Sequence, residues 1–282
     1  MAKNTRRALK EFDYSFQTEF EEIEWNGMWI PKTVYKYRDW QNKYHKPIIV
    51  DQELWIPSPH KFNDPFDCNI PIAFNQLLDN NEMAHTYFLN MVNSDHSLND
   101  VQKEAKIQEL MERLKDDKVV SNIMNAELDS LRNQMGVYSV TAVNDNMLMW
   151  AHYGASHTGF CVGLDSTRLF EHFGGGTEVV YEQDFPIINP LDEPLMKMHQ
   201  QVNSKAKVWG YEMEYRLTKF KETNISLKIS PDIITELILG ANISNDVEDD
   251  LLENVAIHLP KISLFRIRPD EHSFLLHVDP IT

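Results

Sequence analysis

The sequence has few cysteines, few positive charges and no long apolar run, and each shortage excludes a class of protein. Only two cysteines, Cys68 and Cys161, occur in 282 residues. They are too few for a disulfide framework, so we expect a reduced, cytoplasmic protein. No apolar run is long enough to cross a bilayer. The basic N-terminus lacks the apolar core of a secretory signal behind it. We therefore expect neither secretion nor contact with a membrane.

Positive charge is also scarce. Lys and Arg together number 27 against 43 acidic residues, which gives a formal net charge of −16. Non-specific nucleic-acid binding needs a surplus of cations to displace counterions, so we exclude it. A local basic pocket for an anionic cofactor remains compatible with this charge. No P-loop, GxGxxG, GxSxG or HExxH pattern occurs in the sequence.

Strand-like and helix-like segments interrupt one another without regular βα alternation. This order predicts an α+β fold with mixed or antiparallel small sheets and a helical insertion at about residues 75–135. The sequence SLND at 97–100 fits the start of a helix in that block, because Ser97 precedes Asp100 by three positions. We interpret residues 1–32 as an N-terminal arm or peripheral helix, and 33–282 as a single domain.

The first candidate site is the segment VYKYR at 34–38. In a strand, Lys36 and Arg38 share one face and Tyr35 and Tyr37 the other. Two cations on one strand face destabilise it unless they meet water or an anion. The segment is therefore either a solvated edge strand or one wall of an anion-binding pocket.

The second candidate is MLMWAHYGASHTGFCVG at 147–163. On a helix, Met149, His152 and Tyr153 lie three and four positions apart, on neighbouring surface. Three interpretations compete: Trp150 packs in the core with His152 hydrogen-bonded, His152 and His157 bind a metal, or the helix forms one wall of a pocket. We favour the pocket wall and expect no metal.

The third candidate is WGYEMEYRL at 209–217, which alternates as a strand does. Alternation places Glu212, Glu214 and Arg216 on one face. Two adjacent carboxylates shift each other's pKa apart, and a neighbouring Arg holds one of them ionised. An exposed face with a weak ion pair is the competing interpretation.

The segments FNDPFD, MWAHY, GFCVGLD and WGYEMEYRL, in this order, resemble the bacterial family known as domain of unknown function 2971. The resemblance extends over most of residues 33–280. That family name carries no settled activity.

The sequence also resembles ADP-ribosyltransferases, more loosely. Those enzymes have an Arg or His at the end of an early strand, a Ser on the next strand, and a Glu, often in an E-x-E pair, on a late strand. Arg38, Ser58 and the pair Glu212 and Glu214 occur here in that order. The Ser-Thr-Ser-like triplet of those enzymes is absent, since Ser58 is followed by proline.

This second resemblance implies an NAD-using ADP-ribosyltransferase-like enzyme of the toxin or phage-defence type, with a macromolecular acceptor. Glu212 and Glu214 would be the catalytic carboxylates, one stabilising the oxocarbenium-like charge and the other accepting a proton. Lys36 and Arg38 would neutralise the phosphates, Trp150 or Tyr153 would stack on a ring, and Gly159 would let the backbone approach closely. The residues expected to bind the nucleotide are Lys36, Arg38, Ser58, Asn63, Trp150, His152, Tyr153 and Arg216.

Two other functions stay open. A non-catalytic module that binds a nucleotide or a partner protein would use the same pocket without needing both carboxylates. A metal-dependent hydrolase would require His152, His157, Asp64 and Asp67 to converge on one ion.

Overall fold

The computed structural model describes residues 20–281, and most of its strands join one eight-stranded sheet. The described strands are β1 (Glu22–Trp25), β2 (Met28–Pro31), β3 (Thr33–Arg38), β4 (Glu53–Ile56), β5 (Met135–Thr141), β6 (Phe160–Asp165), β7 (Thr177–Glu178), β8 (Val180–Glu182), β9 (Ser204–Ala206), β10 (Glu214–Phe220), β11 (Ile225–Lys228), β12 (Ile234–Leu239), β13 (Ser263–Pro269) and β14 (Leu276–Pro280). The described α-helices are α1 (Pro47–Val50), α2 (Asn75–Asp79), α3 (Asn81–Asn93), α4 (Asp100–Arg113), α5 (Asp117–Asn133), α6 (Met147–Tyr153), α7 (Ser166–Phe173), α8 (Pro194–Asn203) and α9 (Asn245–His258).

The main sheet has the strand order β14-β13-β12-β6-β3-β5-β10-β7. Its neighbouring strands are antiparallel except β12 and β13, which are parallel. Two-stranded sheets formed by β1 and β2, β4 and β11, and β8 and β9 accompany it. The predicted α+β class, with mixed and antiparallel sheets, is confirmed.

Strand β3 occupies the middle of the main sheet, so the edge-strand interpretation of VYKYR is wrong. It pairs with β6 along its whole length, from Thr33 opposite Asp165 to Arg38 opposite Phe160. On its other side it shares a single residue pair with β5, Tyr35 opposite Thr141. Beyond that pair the two strands no longer hydrogen-bond to each other. The sheet is therefore split between β3 and β5, and the unpaired stretches of both strands face an open space.

Helices α2 to α5 occupy the block where helices were predicted, at 75–133. Helix α4 begins with a capping box, but the first residue of that box is Asn99 rather than the predicted Ser97. The Asn99 side chain accepts a hydrogen bond from the Gln102 N–H, and the Gln102 side chain accepts one from the Asn99 N–H. Ser97 instead donates its hydroxyl to Asp95. An Asn-x-x-Gln pair satisfies the same free backbone amides as a Ser-x-x-Glu pair, so it starts the helix in the same way.

The chain near the acidic motif differs most from the sequence prediction. Strands β7 and β8 are short, and helix α8 ends at Asn203, directly before β9. A 3₁₀-helix, Lys207–Glu212, follows, and Met213 adopts a left-handed conformation with φ of 44° before β10 starts at Glu214. The single strand predicted over 209–217 is therefore wrong in its first half.

The predicted N-terminal arm at 1–32 lies mostly outside the described residues. Its described part forms the hairpin of β1 and β2, with Glu22 opposite Pro31, rather than a peripheral helix. The proposed division of the chain into an arm and one domain stays a prediction. Within the described part of the chain, no helix is both long and apolar enough to span a membrane.

Candidate functional site

A cavity of about 910 Å³ lies in the split between β3 and β5, and we call it the central pocket. Its walls include Tyr35 to Arg38 of β3 and Val137 to Thr141 of β5. Strands β4 and β11, helix α6 and the start of β10 close the remaining sides. Its volume is within the range of pockets that bury a small organic ligand. The split in the sheet is therefore what creates the candidate site.

One wall of the central pocket is cationic. Lys36 donates a hydrogen bond to the Ser139 carbonyl, and its ammonium lies 4.9 Å from the centre of the Tyr138 ring. Arg38 donates to the Tyr37 carbonyl at 3.3 Å. Among residues 20–281, neither Lys36 nor Arg38 forms an ion pair with a carboxylate. Burial, reinforced by Arg38, lowers the pKa of Lys36 to about 7.

His45 also lines the central pocket, and sequence reasoning missed it. Its Nδ1 accepts a hydrogen bond from the Asp39 N–H at 3.1 Å. An accepting Nδ1 requires the neutral ring to carry its proton on Nε2. Burial and the Arg38 charge lower the pKa of His45 to about 4, so the ring stays neutral at physiological pH. The turn after β3 places His45 at the pocket, and no spacing of residues in the sequence predicts that placement.

Next to this cationic wall, five charged side chains form a buried network. Arg216 donates to Asp67 through Nη1 and Nη2, at 2.8 and 2.7 Å. It also donates from Nε to Glu214 Oε1 at 2.8 Å and from Nη2 to Oε2 at 3.0 Å. Lys205 contacts Glu212 at 2.5 Å and Glu214 at 3.0 Å. Each of the five has at most 9% of its surface exposed. Two cations therefore neutralise most of the charge of three carboxylates.

The two glutamates reach this network by different routes. Glu214 is the first residue of β10 and lies opposite Thr141 in the sheet. Glu212 is the last residue of the 3₁₀-helix, and the Thr141 hydroxyl donates a hydrogen bond to its carbonyl. The left-handed Met213 reverses the chain locally between them. The prediction that Glu212 and Glu214 share one strand face is wrong, although both carboxylates still meet at Lys205.

The environments of the two carboxyl groups separate their pKa values, as expected for adjacent like charges. Burial raises the pKa of Glu212, and the charge of Glu214 adds to this effect although Lys205 opposes it. Burial also acts to raise the pKa of Glu214, but Arg216 and Lys205 outweigh it and the pKa falls below its ordinary value. Glu214 is thus the ionised, structural member of the pair. Glu212 faces the pocket beside Tyr153, whose hydroxyl donates to Glu212 Oε1 at 2.8 Å.

Helix α6 supplies part of the pocket wall, but not with every residue predicted. Met149 and Tyr153 line the cavity. Trp150 is fully buried in the core, donates to the Asn144 carbonyl at 2.8 Å and packs edge-on against Tyr37. His152 is exposed and does not line the cavity. The pocket-wall interpretation of this helix therefore holds for two residues, whereas Trp150 supports the core-packing interpretation.

Of the remaining predicted residues, Asn63 lines the central pocket, and Ser58 and Arg216 do not. The Ser58 hydroxyl caps the turn after β4 by accepting from the His60 N–H, and donates to the Arg132 carbonyl. Arg216 is fully buried behind Glu214. Gly159 does allow a close backbone approach, but the group that approaches it is the Arg38 carbonyl. A Cβ at Gly159 would lie 2.2 Å from that oxygen.

The described residues contain no group of three His, Cys, Asp or Glu side chains able to hold a metal ion. Asp67, one of the four ligands required by the metal-dependent reading, is instead engaged by Arg216. Sequence reasoning had no signal for Lys205 or for the pairing of Asp67 with Arg216, because Asp67 and Arg216 are 149 positions apart along the chain and meet only through folding.

Residues 149–217 match the model of a protein family of unknown function, DUF2971. The matched segment begins in α6 and ends in β10, so it includes Tyr153, Lys205 and both glutamates. The predicted resemblance to this family is confirmed over that segment. The motifs of β3 and of FNDPFD lie outside it. No curated protein and no solved structure matches the chain, so the looser resemblance to ADP-ribosyltransferases finds no support in these comparisons.

Proposed function

We propose that the central pocket binds a nucleotide-type ligand whose phosphate groups lie against Lys36 and Arg38. The observation that carries this proposal is the pair of cations on one strand, lining a cavity without a carboxylate partner among the described residues. Charges removed from bulk water destabilise a protein unless an opposite charge compensates them. A phosphate supplies that charge, and the Arg38 guanidinium can bind it through two parallel hydrogen bonds.

The acidic part of the pocket suits the sugar of such a ligand. Glu212 accepts one hydrogen bond from Tyr153 and faces the cavity, where ribose hydroxyls would donate to it. Aromatic rings for a base are present too, since Trp55 and Tyr44 line the cavity and are 47% and 74% exposed. They take over the stacking role that the sequence assigned to Trp150. A cavity lined by both cations and a carboxylate thus matches a ligand that carries both phosphate and hydroxyl groups.

ADP-ribosyl transfer from NAD is the reaction that we propose for this arrangement. NAD would supply a glycosidic bond to a positively charged leaving group, nicotinamide. Glu212 would hold the ribose hydroxyls and stabilise the positive charge that develops at the anomeric carbon. Glu214 would keep Lys205 and Arg216 in place and so position Glu212. The acceptor would be a macromolecule, and a role in toxin action or phage defence in a bacterial cytoplasm stays a prediction.

The test is release of nicotinamide from NAD by the purified protein, compared with its Glu212→Gln and Glu214→Gln variants. We expect Glu212→Gln to lose about 100-fold or more in turnover, because one transition-state contact is removed, and to lower the melting temperature, because the buried Lys205 loses a charged partner. Glu214→Gln should lower the melting temperature as well as turnover. Glu171→Gln, on the exposed face of α7, is the matched control. Full turnover in Glu212→Gln would rule out this assignment.

A non-catalytic binding module remains the second candidate, and one observation favours it. Lys205 contacts both glutamates, so neither carboxylate is free of a cation in the described structure. A carboxylate that is paired with a lysine can still accept hydrogen bonds from a ligand, but it stabilises a new positive charge less strongly. Addition of NAD or ADP-ribose that raises the melting temperature, without nicotinamide release under any condition tested, would support binding alone.

A further inference from the structure

Lys36 is surrounded by groups that keep its amine reactive rather than charged. Its nearest polar partner is the Ser139 carbonyl, which accepts a hydrogen bond from a neutral amine as well as from an ammonium. Arg38, two residues along the same strand, is a permanent cation on the same face. The Tyr138 ring covers another side at 4.9 Å. A lysine beside another cation and partly removed from water is the usual setting for an amine nucleophile.

We propose that Lys36 forms an imine with a small carbonyl compound that carries a phosphate group, and that Arg38 binds the phosphate. This inference rests on the central pocket but does not require that a nucleotide is its ligand. The Lys36 nitrogen attacks the carbonyl carbon and forms a C–N bond. The carbonyl oxygen leaves as water with the two hydrogens of the amine, and a C=N bond remains. No oxidant or reductant is needed.

The charged groups that face Lys36 lie on four elements and shift its pKa in opposite directions. Arg38 of β3 and Lys205 of β9 lower its pKa, whereas Glu214 of β10 and Glu212 of the 3₁₀-helix raise it. Burial has the largest effect, and the pKa is about 7. About half of Lys36 is therefore a free amine at neutral pH. An ordinary exposed lysine, with a pKa of about 10.4, is almost wholly protonated there.

The test uses pyridoxal 5′-phosphate as the probe, followed by borohydride reduction and peptide mass mapping. We expect Lys36 to be labelled about tenfold faster than any other lysine at pH 7.5, with a rate that levels off just above pH 7. Lys36→Arg and Lys36→Met should lose this fast labelling. Lys46→Arg, a variant of a partly exposed lysine that does not line the pocket, should retain it.

Two further measurements test the role of Arg38 and separate this inference from the proposed function. Pyridoxal without its phosphate should label Lys36 about fivefold more slowly, and Arg38→Gln should remove that difference. Labelling spread over lysines according to their exposure, or a Lys36 rate that keeps rising to pH 10, would overturn the proposal. Fast labelling of Lys36 in a protein whose melting temperature does not respond to ADP-ribose or NAD would uphold this inference and reject the nucleotide ligand.

Discussion

At the scale of single residues, the buried network is held by Arg216. Its guanidinium makes two hydrogen bonds with each of Asp67 and Glu214 and has no exposed surface. The same side chain donates to the Val202 carbonyl. Removing one member of such a buried cluster leaves the partner charges without compensation, which is far more destabilising than the cluster is stabilising.

We therefore expect Arg216→Met to lower the free energy of unfolding by about 3–5 kcal/mol. Chemical denaturation followed by circular dichroism measures this value. Arg268→Met is the control, because the Arg268 and Asp279 side chains are about half exposed and an ion pair screened by water contributes little to stability. Equal losses in both variants would contradict a structural role for the buried network.

Lys36 provides a second prediction at this scale, because burial penalises its charged form. Its pKa falls from 10.5 in the unfolded chain to about 7 in the fold. Between these two values the unfolded chain binds more protons, so the penalty shrinks as pH rises. Lys36→Met should therefore be more stable than the parent protein below pH 7, by about 1 kcal/mol or more, and the gain should fade toward pH 10. Thermal melts at pH 6, 8 and 10 measure this; a gain that does not change with pH would contradict it.

At the scale of secondary-structure elements, the loop between α6 and β6 fixes the end of β3. Three successive residues, Ala155 to His157, have positive φ values of 51°, 54° and 68°. Gly159 follows, with its backbone against the Arg38 carbonyl, and Gly240 packs on the same loop. These close contacts determine where β3 ends, and hence where Arg38 stands at the pocket.

We expect Gly159→Ala to reduce stability by several kcal/mol and to weaken ligand binding, because the new methyl group would lie 2.2 Å from the Arg38 carbonyl. Gly174→Ala is the matched control. Its φ is 83° and the space around it is open, so only backbone strain of about 1 kcal/mol opposes the substitution. Melting temperature and affinity for ADP-ribose should both fall in the first variant, and affinity should be unchanged in the second.

At the scale of the whole molecule, an acidic protein encloses a cationic pocket wall. The formal net charge is −16, yet the central pocket presents Lys36, Arg38 and the neutral donor His45 on one side. The pKa of Lys36 lies near physiological pH, whereas that of His45, about 4, lies well below it. A change in anion binding between pH 6 and 8 should therefore follow Lys36 rather than His45.

We expect the affinity for ADP-ribose to fall about fivefold from pH 6 to pH 8, which corresponds to roughly 1 kcal/mol for the loss of one charge. Isothermal titration calorimetry at several pH values measures the change. Lys36→Arg should bind with little pH dependence, because the guanidinium stays charged. Affinity that rises with pH in the parent protein would show that Lys36 does not contact the anion.

The sequence alone determined the α+β class, the helical block and the strand at 33–38, because hydrophobic periodicity and capping residues are local signals. It also placed Lys36 and Arg38 on one strand face and identified the acidic motif. Local patterns could not predict that Trp150 points into the core and His152 outward, since both fit the same short helix. Nor could they show the turn at Met213 that separates Glu212 from β10.

The tertiary structure alone decided where the pocket is and which charges remain unpaired. The split between β3 and β5 depends on strand pairing, which joins residues about 100 positions apart. Asp67 and Arg216, which are 149 positions apart, meet only through folding. Arg216 and Lys205 pair with Glu214, whereas Glu212 pairs with Lys205 and Tyr153 at the cavity. Burial together with the long-range pairing of charges sets the pKa of each group, and no local pattern in the sequence carries that information.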